Sequence, residues 1–491
     1  MKKIIYVVLG LTDLLAIATI PLDSFVFNIP KYVSPIFAIV VVCMTILLWH
    51  EKKKGKMIFT IVNVLVLLVL YAGTYCNPYR NSISYKINAD YTCREFGTVL
   101  TYEDAVRDID YALKHLQEVH PLYVSGLSEN MKKLKWQAKE NLKSYDEITV
   151  NDLCREIEQI LSNLEDAHTA VYANYSDSHY LKYIEEHKQQ GDKLVELNGL
   201  SMEELFDSHS RLFSYEVEAY GVERMKNYLF TLEGLDYLGI DSARGMVYTY
   251  ETTDGQRINV TYYPEDFVTS EEYWEFNNMK DNQSGEEEYH FVSYEIIPEY
   301  DLAVFKLLEC KNDDEYRRCL KDFFSEVKEK GIHNVCVDLR NNGGGSSSVA
   351  DEFIHYLNTE TYKVWGQDWR LGSLMIKSQG STEQNSHERE WTFSGDVYIL
   401  TSIDTFSAAM DFAMLIADND LGTIIGEASG NKPDSYGDVV IFRLPKSGLY
   451  MQCSMKKWYR LDTDCQDELI EPDIPCESAE ALNVLEKLLK P

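Results

Sequence analysis

From Leu302 onward the chain alternates short, β-branched apolar runs with longer segments of helical period, and this alternation limits the fold more than any other feature. "LAVFKLL" gives way to "DDEYRRCLKDFFSEVKEKG", closed by Gly331, and then to "NVCVDL". A Gly-rich loop, "VYILTS", a helical run from about Phe406 and "GTIIGE" follow. Apolar runs of strand length separated by helices of this size build βαβ units with a largely parallel sheet. An α/β core is therefore expected over residues 295–491.

Upstream, residues 101–180 read as a helical subdomain. Apolar residues recur at three and four spacing in "YEDAVRDIDYALKHLQEVHPLY" and "VNDLCREIEQILSNL", with Pro121 as punctuation. "GDKLVELNGLSMEELF" is a strand, an Asn-Gly turn and a helix start, and charged, aromatic-rich helical sequence continues to about residue 240. "GMVYTYETTDGQRINVTYYPED" reads as a hairpin turning at Asp254-Gly255, and residues 270–290 read as an acidic loop. Residues 77–100 form a linker.

The first 76 residues carry three apolar runs, Ile4–Leu22, Val33–Trp49 and Met57–Tyr75, each 17 to 19 residues long. A membrane span needs about 17–25 residues, so three transmembrane helices are expected, although Asp13 is costly in the first. Lys2, Lys3 and "HEKKKGK" place the intervening ends in the cytoplasm, which leaves the large domain outside a cell membrane crossed several times, with the lipid bilayer as a partner. A cleaved signal peptide is the alternative for the first run, but no A-x-A-like site follows it.

Hydrophobic residues at 45% fit a globular chain, and a net charge of −32 argues against nucleic acid as a partner. Ten cysteines outside a reducing compartment allow disulfides, with Cys310/Cys319 and Cys465/Cys476 as possible pairs beside free buried thiols. No C-x-x-C or His/Cys ladder suggests a metal site, and no cofactor is implied.

Four hydroxyls, Thr401, Ser402, Thr405 and Ser407, crowd the handover from "VYILTS" to the next helix, where one would suffice as a cap. Ser407 falls at the first turn, beside exposed N–H groups that suit either a cap or a nucleophile with an oxyanion. Gly343, Gly344 and Gly345 stand between a strand and a helix, where main-chain N–H groups approach a ligand or simply make a tight turn. A nucleophilic Ser needs a base. Lys432, in "GEASGNKPDSYGDV", is one candidate if burial lowers its pKa, and His168, in "LEDAHTAVY", is the other.

These segments, in order, resemble the S41 serine peptidases, the C-terminal processing or tail-specific proteases and their tricorn-core-like branch. "LEDAHTAV" resembles the L-x-D-x-H-T segment and "VDLRNNGGGSSS" the D-L-R-x-N-x-G-G loop. "TSIDTFSAAMDFA" is similar to the nucleophile segment, "GEASGNKPDSYGDV" to the G-E-x-x-G-x-K loop, and "ELIEPDI" to the terminal signature. Ser407 and Lys432 are 25 residues apart, as in the processing proteases.

The resemblance implies a ClpP/crotonase-like core and a Ser407 nucleophile, with oxyanion donors from Gly344 or its neighbour and from Ala408. It implies hydrolysis of peptide bonds in extracytoplasmic proteins or peptides. Processing proteases use the Lys, often with a Gln four residues on, where this chain has Tyr436. The tricorn-like branch uses the His, with a late acidic partner for which Asp467 or Glu468 stands here. Both bases stay open, with Lys432 leading on spacing. "GDKLVELNG" resembles a PDZ fragment, which makes residues 185–265 a degenerate or interrupted PDZ-like region. An inactive peptide-binding or sensing module is the alternative function.

Overall fold

The computed structural model describes residues 2–490 apart from 28, 31, 50–54, 85, 88, 173–177, 282–289, 387–391, 463, 464, 466 and 467. Its centre is a six-stranded sheet. Val292–Ile297 pairs antiparallel with Leu302–Leu307, and from there Asn334–Asp338, Asp396–Thr401, Thr423–Gly426 and Ile474–Pro475 add in parallel. The burial of Asn334–Asp338 at every position explains its unbroken apolar texture. One face is covered by Asp314–Lys330, Ser348–Ile354 and Ala408–Ala417, and the other by the terminal helix Ala481–Leu489.

Local signals set these elements. Asp313 caps Asp314–Lys330 by accepting the N–H groups of Glu315 and Tyr316, and Gly331 ends it in the left-handed conformation at φ 66°. Ala408–Ala417 buries eight of its ten residues, so it is apolar all round rather than amphipathic. Burying Phe412 alone contributes about 2–3 kcal/mol, which anchors the helix start against the sheet.

A second sheet orders Leu374–Ser378, Gly366–Leu371, Tyr450–Tyr459 and Tyr436–Arg443, all antiparallel. Ala170–Tyr172 joins it by pairing with Tyr450–Gln452, which fixes His168, two residues before that strand, beside this sheet. The helical region contains Tyr102–Val119, Glu129–Leu142 and Val150–Leu161, capped by Thr101, Ser128 and Thr149. Residues 185–265 hold a four-stranded antiparallel sheet, Leu200–Ser201, Lys193–Leu197, Met246–Glu251 and Arg257–Tyr262. Helices Met202–His209, Glu218–Tyr228 and Leu232–Tyr237 are inserted between its strands.

Several expectations are corrected. Among the described residues no helix is long and apolar enough to cross a membrane, against three spans, a bilayer partner and a multi-pass location. The N-terminal segments are helices, Lys2–Phe25, Val33–Trp49 and Gly55–Tyr75. The first contains Pro21 and carries Asp13 and Asp23, the latter in an ion pair with Arg80 at 3.0 Å. The second has 17 residues, about 26 Å of rise against a hydrocarbon core of about 30 Å. The third buries the polar Asn63. They pack on one another through Ala16, Val66 and Leu70.

The acidic segment after residue 270, expected as a loop, begins as the helix Ser270–Asp281; its Glu271 and Glu272 suit the positive end of a helix. Cys310, Cys319 and Cys476 are free thiols, against the expected pairs.

Candidate active site

The strand Asp396–Thr401 and the helix Ala408–Ala417 are joined by a turn whose hydroxyls divide their work. Thr401 donates to the carbonyl of Glu427 at 2.7 Å and Thr405 to that of Leu339 at 2.9 Å. Ser402 donates to the carbonyl of Arg340. These three lock the turn to neighbouring strands. Ser407 alone of the four lines a cavity of about 480 Å³.

Its backbone lies at φ 55° and ψ −125°, a conformation that costs a non-glycine residue about 1–3 kcal/mol. The strain is held by its surroundings. The Ser407 N–H donates to Asn431 Oδ1 at 2.7 Å, and the N–H of Phe406 donates to the carbonyl of Asn342 at 3.0 Å. Gly344, at φ 102°, is pressed so close that a Cβ there would lie 2.7 Å from the Cβ of Ser407.

The Gly-rich loop follows the strand Asn334–Asp338. Asn342 organises it by accepting the N–H of Gly344 at 2.9 Å, while its own amide donates to the carbonyl of Leu307 at 3.0 Å. Gly344 is thus the expected oxyanion donor with its N–H already committed. Its neighbour differs. Gly345 forms a parallel bridge with Cys310, made by the Cys310 N–H to Gly344 O and the Ser346 N–H to Cys310 O. In such a bridge the central residue's own N–H points to the opposite side. Gly345 lines the cavity, as does Ala408, whose N–H at the first position of its helix has no intrahelical acceptor.

His168 lines the same cavity and is 8% exposed. Its ring stacks on Phe406, with centroids 4.6 Å apart, and Tyr220 stacks on Phe406 at the same separation. Neither ring nitrogen has a hydrogen-bond partner. Burial lowers its pKa from 6.5, although Asp166 pulls the other way, so the imidazole is neutral near pH 7.

Asp166 Oδ1 lies 3.9 Å from His168 Nδ1 and accepts the main-chain N–H of His168 at 2.9 Å. Its Oδ2 is 3.0 Å from Nε2 of the buried His120. Burial pushes the Asp166 pKa up, but the hydrogen bond and charge of His120, helped by His168, bring it down to about 2.

Glu216 is the third member of this group. Its carboxylate accepts the N–H of Lys432 at 2.9 Å and that of Ala167 at 3.4 Å. Burial, with the charge of Asp166, raises its pKa to about 8. One ligating atom from each of Asp166, His168 and Glu216 lies within 4.8 Å of the others.

The structure thus brings together Ser407, Ala408 and His168 around one cavity and places Lys432 elsewhere. Lys432 Nζ pairs with Glu468 Oε2 at 2.9 Å, with 36% of the lysine side chain and 79% of the glutamate exposed. Lys432 is not among the cavity-lining residues, and Glu468 is turned to that surface pair. Asp467 lies outside the described residues. Sequence reasoning missed Asp166, although it sits inside the quoted "LEDAHTAV" segment, and missed Asn431, the neighbour of Lys432. Glu216 had no local signal: it lies 48 residues after His168, in the region between the segments that carry His168 and Ser407.

Residues 301–476 match Peptidase family S41. Two solved structures share the fold over most of the chain. A crystallised CPAF mutant is 13% identical with a TM-score of 0.57, covering 79% of this chain and 97% of its own. Mature CPAF complexed with lactacystin is 13% identical with a TM-score of 0.54, covering 79% and 98%. At that identity the likeness speaks for the fold alone, and the similarity in sequence is to Peptidase family S41, over residues 301–476.

Proposed function

We propose that the chain is a serine endopeptidase in which Ser407 attacks the scissile carbonyl and His168 is the general base. The observation that carries this reading is the shared cavity, lined both by a strained serine at a helix start and by a neutral imidazole whose ring nitrogens make no hydrogen bond. His168 takes the hydroxyl proton as the Oγ–carbon bond forms, and returns it to the leaving amine as the tetrahedral intermediate collapses. The main-chain N–H groups of Ala408 and Gly345 hold the oxyanion, with the positive end of the Ala408–Ala417 helix behind them. Asp166 stabilises the imidazolium formed on the way, and His120 orients Asp166 in turn. Water then releases the acyl group by the same steps in reverse.

A lysine base is less well supported, because Lys432 is engaged by an exposed carboxylate on the surface. An inactive binding module would have no use for a strained serine, which costs stability without a packing return. Peptide or protein is the substrate class.

Hydrolysis of an unfolded protein substrate tests the reading, with Ser407→Ala, His168→Ala and Lys432→Ala run beside the wild type. Losses of about 10²–10⁴-fold are expected for the first two and near-full activity for the third. Activity that survives His168→Ala and disappears in Lys432→Ala would replace the base.

A further inference from the structure

We propose that Asp166, His168 and Glu216 form a binding site for a divalent transition ion of the zinc type, and that the ion inhibits the peptidase by occupying its base. The inhibition rests on the reading of His168 given above; the binding does not.

The donor set is one imidazole and two carboxylates, with atoms within 4.8 Å of one another. Nitrogen and oxygen ligands of this kind, three from the protein and a fourth from water, suit Zn²⁺. Bonds of about 2.0–2.2 Å in a tetrahedron place ligand atoms about 3.4 Å apart. The 3.9 Å between His168 Nδ1 and Asp166 Oδ1 is therefore within a small side-chain rotation of a ligating arrangement.

An independent observation points to a missing ligand. His168 is more than nine-tenths buried, yet both ring nitrogens lack any hydrogen-bond partner. Leaving a buried polar atom unpaired costs about 1–3 kcal/mol. A metal bond at one nitrogen would remove that cost, and the cavity gives the ion a way in.

The surroundings resemble the outer shell that orients metal ligands. Asp166 is held by His120 Nε2 and by the His168 N–H, and Glu216 by the N–H groups of Lys432 and Ala167. Each carboxylate is fixed in direction while lone pairs remain for an ion. With Nδ1 bonded to the metal, the neutral ring carries its proton on Nε2, so neither nitrogen has a lone pair free for the Ser407 proton.

Calorimetric titration of ZnCl₂ into the full chain carrying Ser407→Ala tests binding without any dependence on catalysis. One site is expected, weakened roughly tenfold or more by adding Glu216→Gln. The exposed pairs His179/Glu233 and His290/Glu315 offer only two ligands each, and the comparison between variants subtracts them. Visible spectra with Co²⁺ supply a second readout that does not depend on affinity: a tetrahedral band is expected in the Ser407→Ala chain and none with Glu216→Gln. A thermal melt shows that the double variant is folded. In the wild type, Zn²⁺ should abolish hydrolysis and a chelator should restore it. Equal Zn²⁺ binding with and without Glu216→Gln, or no binding, overturns the site and leaves the role of His168 intact. Binding at this site without inhibition overturns the regulatory claim and counts against His168 as the base.

Discussion

Replacing Gly344 by Ala should disable the enzyme while leaving the fold standing. A Cβ on Gly344 would meet three atoms of the nucleophile turn itself: the Cβ of Ser407 at 2.7 Å, the carbonyl oxygen of Phe406 at 2.8 Å and the N–H nitrogen of Ala408 at 3.0 Å. None is the end of a flexible side chain. Carbon atoms prefer about 3.5–4.0 Å, so the turn must open by about 1 Å. A misplacement of that size costs about 10²-fold in rate. The φ of 102° adds about 1–2 kcal/mol of backbone strain, enough to lower the thermal midpoint by several degrees but not to unfold a domain of this size. Gly343 is the control, since nothing lies within 4 Å of a Cβ there and its φ is unexceptional. The assay is kcat/KM on a peptide substrate together with a melt. Gly344→Ala should lose about 10²-fold and Gly343→Ala less than about threefold. Equal losses in both, or full activity in Gly344→Ala, would refute the claim that the loop positions the nucleophile by close approach.

Lys432→Ala should change kcat/KM by less than about threefold, because the Lys432–Glu468 pair is exposed and such pairs are worth at most about 1 kcal/mol; a collapse of activity with an unchanged melt would contradict this. The acid limb of the pH–rate profile should fall below 6.5: His168 is depressed by burial, so it stays neutral and competent until the pH drops beneath its ordinary value, and a limb above 7 would speak for another base. Glu216 keeps its proton in the folded chain up to about 8, whereas the unfolded chain releases it near 4.5. Stability is therefore lost as the pH rises through that window, by up to about 5 kcal/mol, and Glu216→Gln should remove that slope in denaturation midpoints taken at pH 5 and pH 8. Identical slopes in the two proteins would show that Glu216 ionises normally.

The parts of the molecule legible in the sequence are those governed by local rules. The apolar run of Asn334–Asp338, the Asp313 cap and Gly331 fix a strand and a helix from a few neighbouring residues, and they recur as expected. Ser407 could be singled out because four hydroxyls exceed what a cap needs, and the other three have structural bonds. The placement of the two candidate bases was not local. Lys432 lies at a suggestive distance along the chain, but the loop carrying it sends its side chain to the surface while Asn431, one residue earlier, turns inward to Ser407. Glu216 comes within 4.8 Å of the His168 and Asp166 ligating atoms only because residues inserted in the four-stranded sheet fold back onto Lys432 and Ala167, and no periodicity encodes that return. The N-terminal runs misled for a related reason. Apolar length alone suggested membrane spans, while Pro21, Asp23 paired to Arg80 and the buried Asn63 belong to helices that pack on one another.

The central claim is that Ser407 is the nucleophile and His168 activates it. Labelling of the full chain with a fluorophosphonate, followed by mass spectrometry of the modified peptide, measures this directly. The adduct should map to Ser407, form at near wild-type rate in Lys432→Ala and fall by at least about 10²-fold in His168→Ala. An adduct on another residue, or unchanged labelling in His168→Ala, would contradict the account.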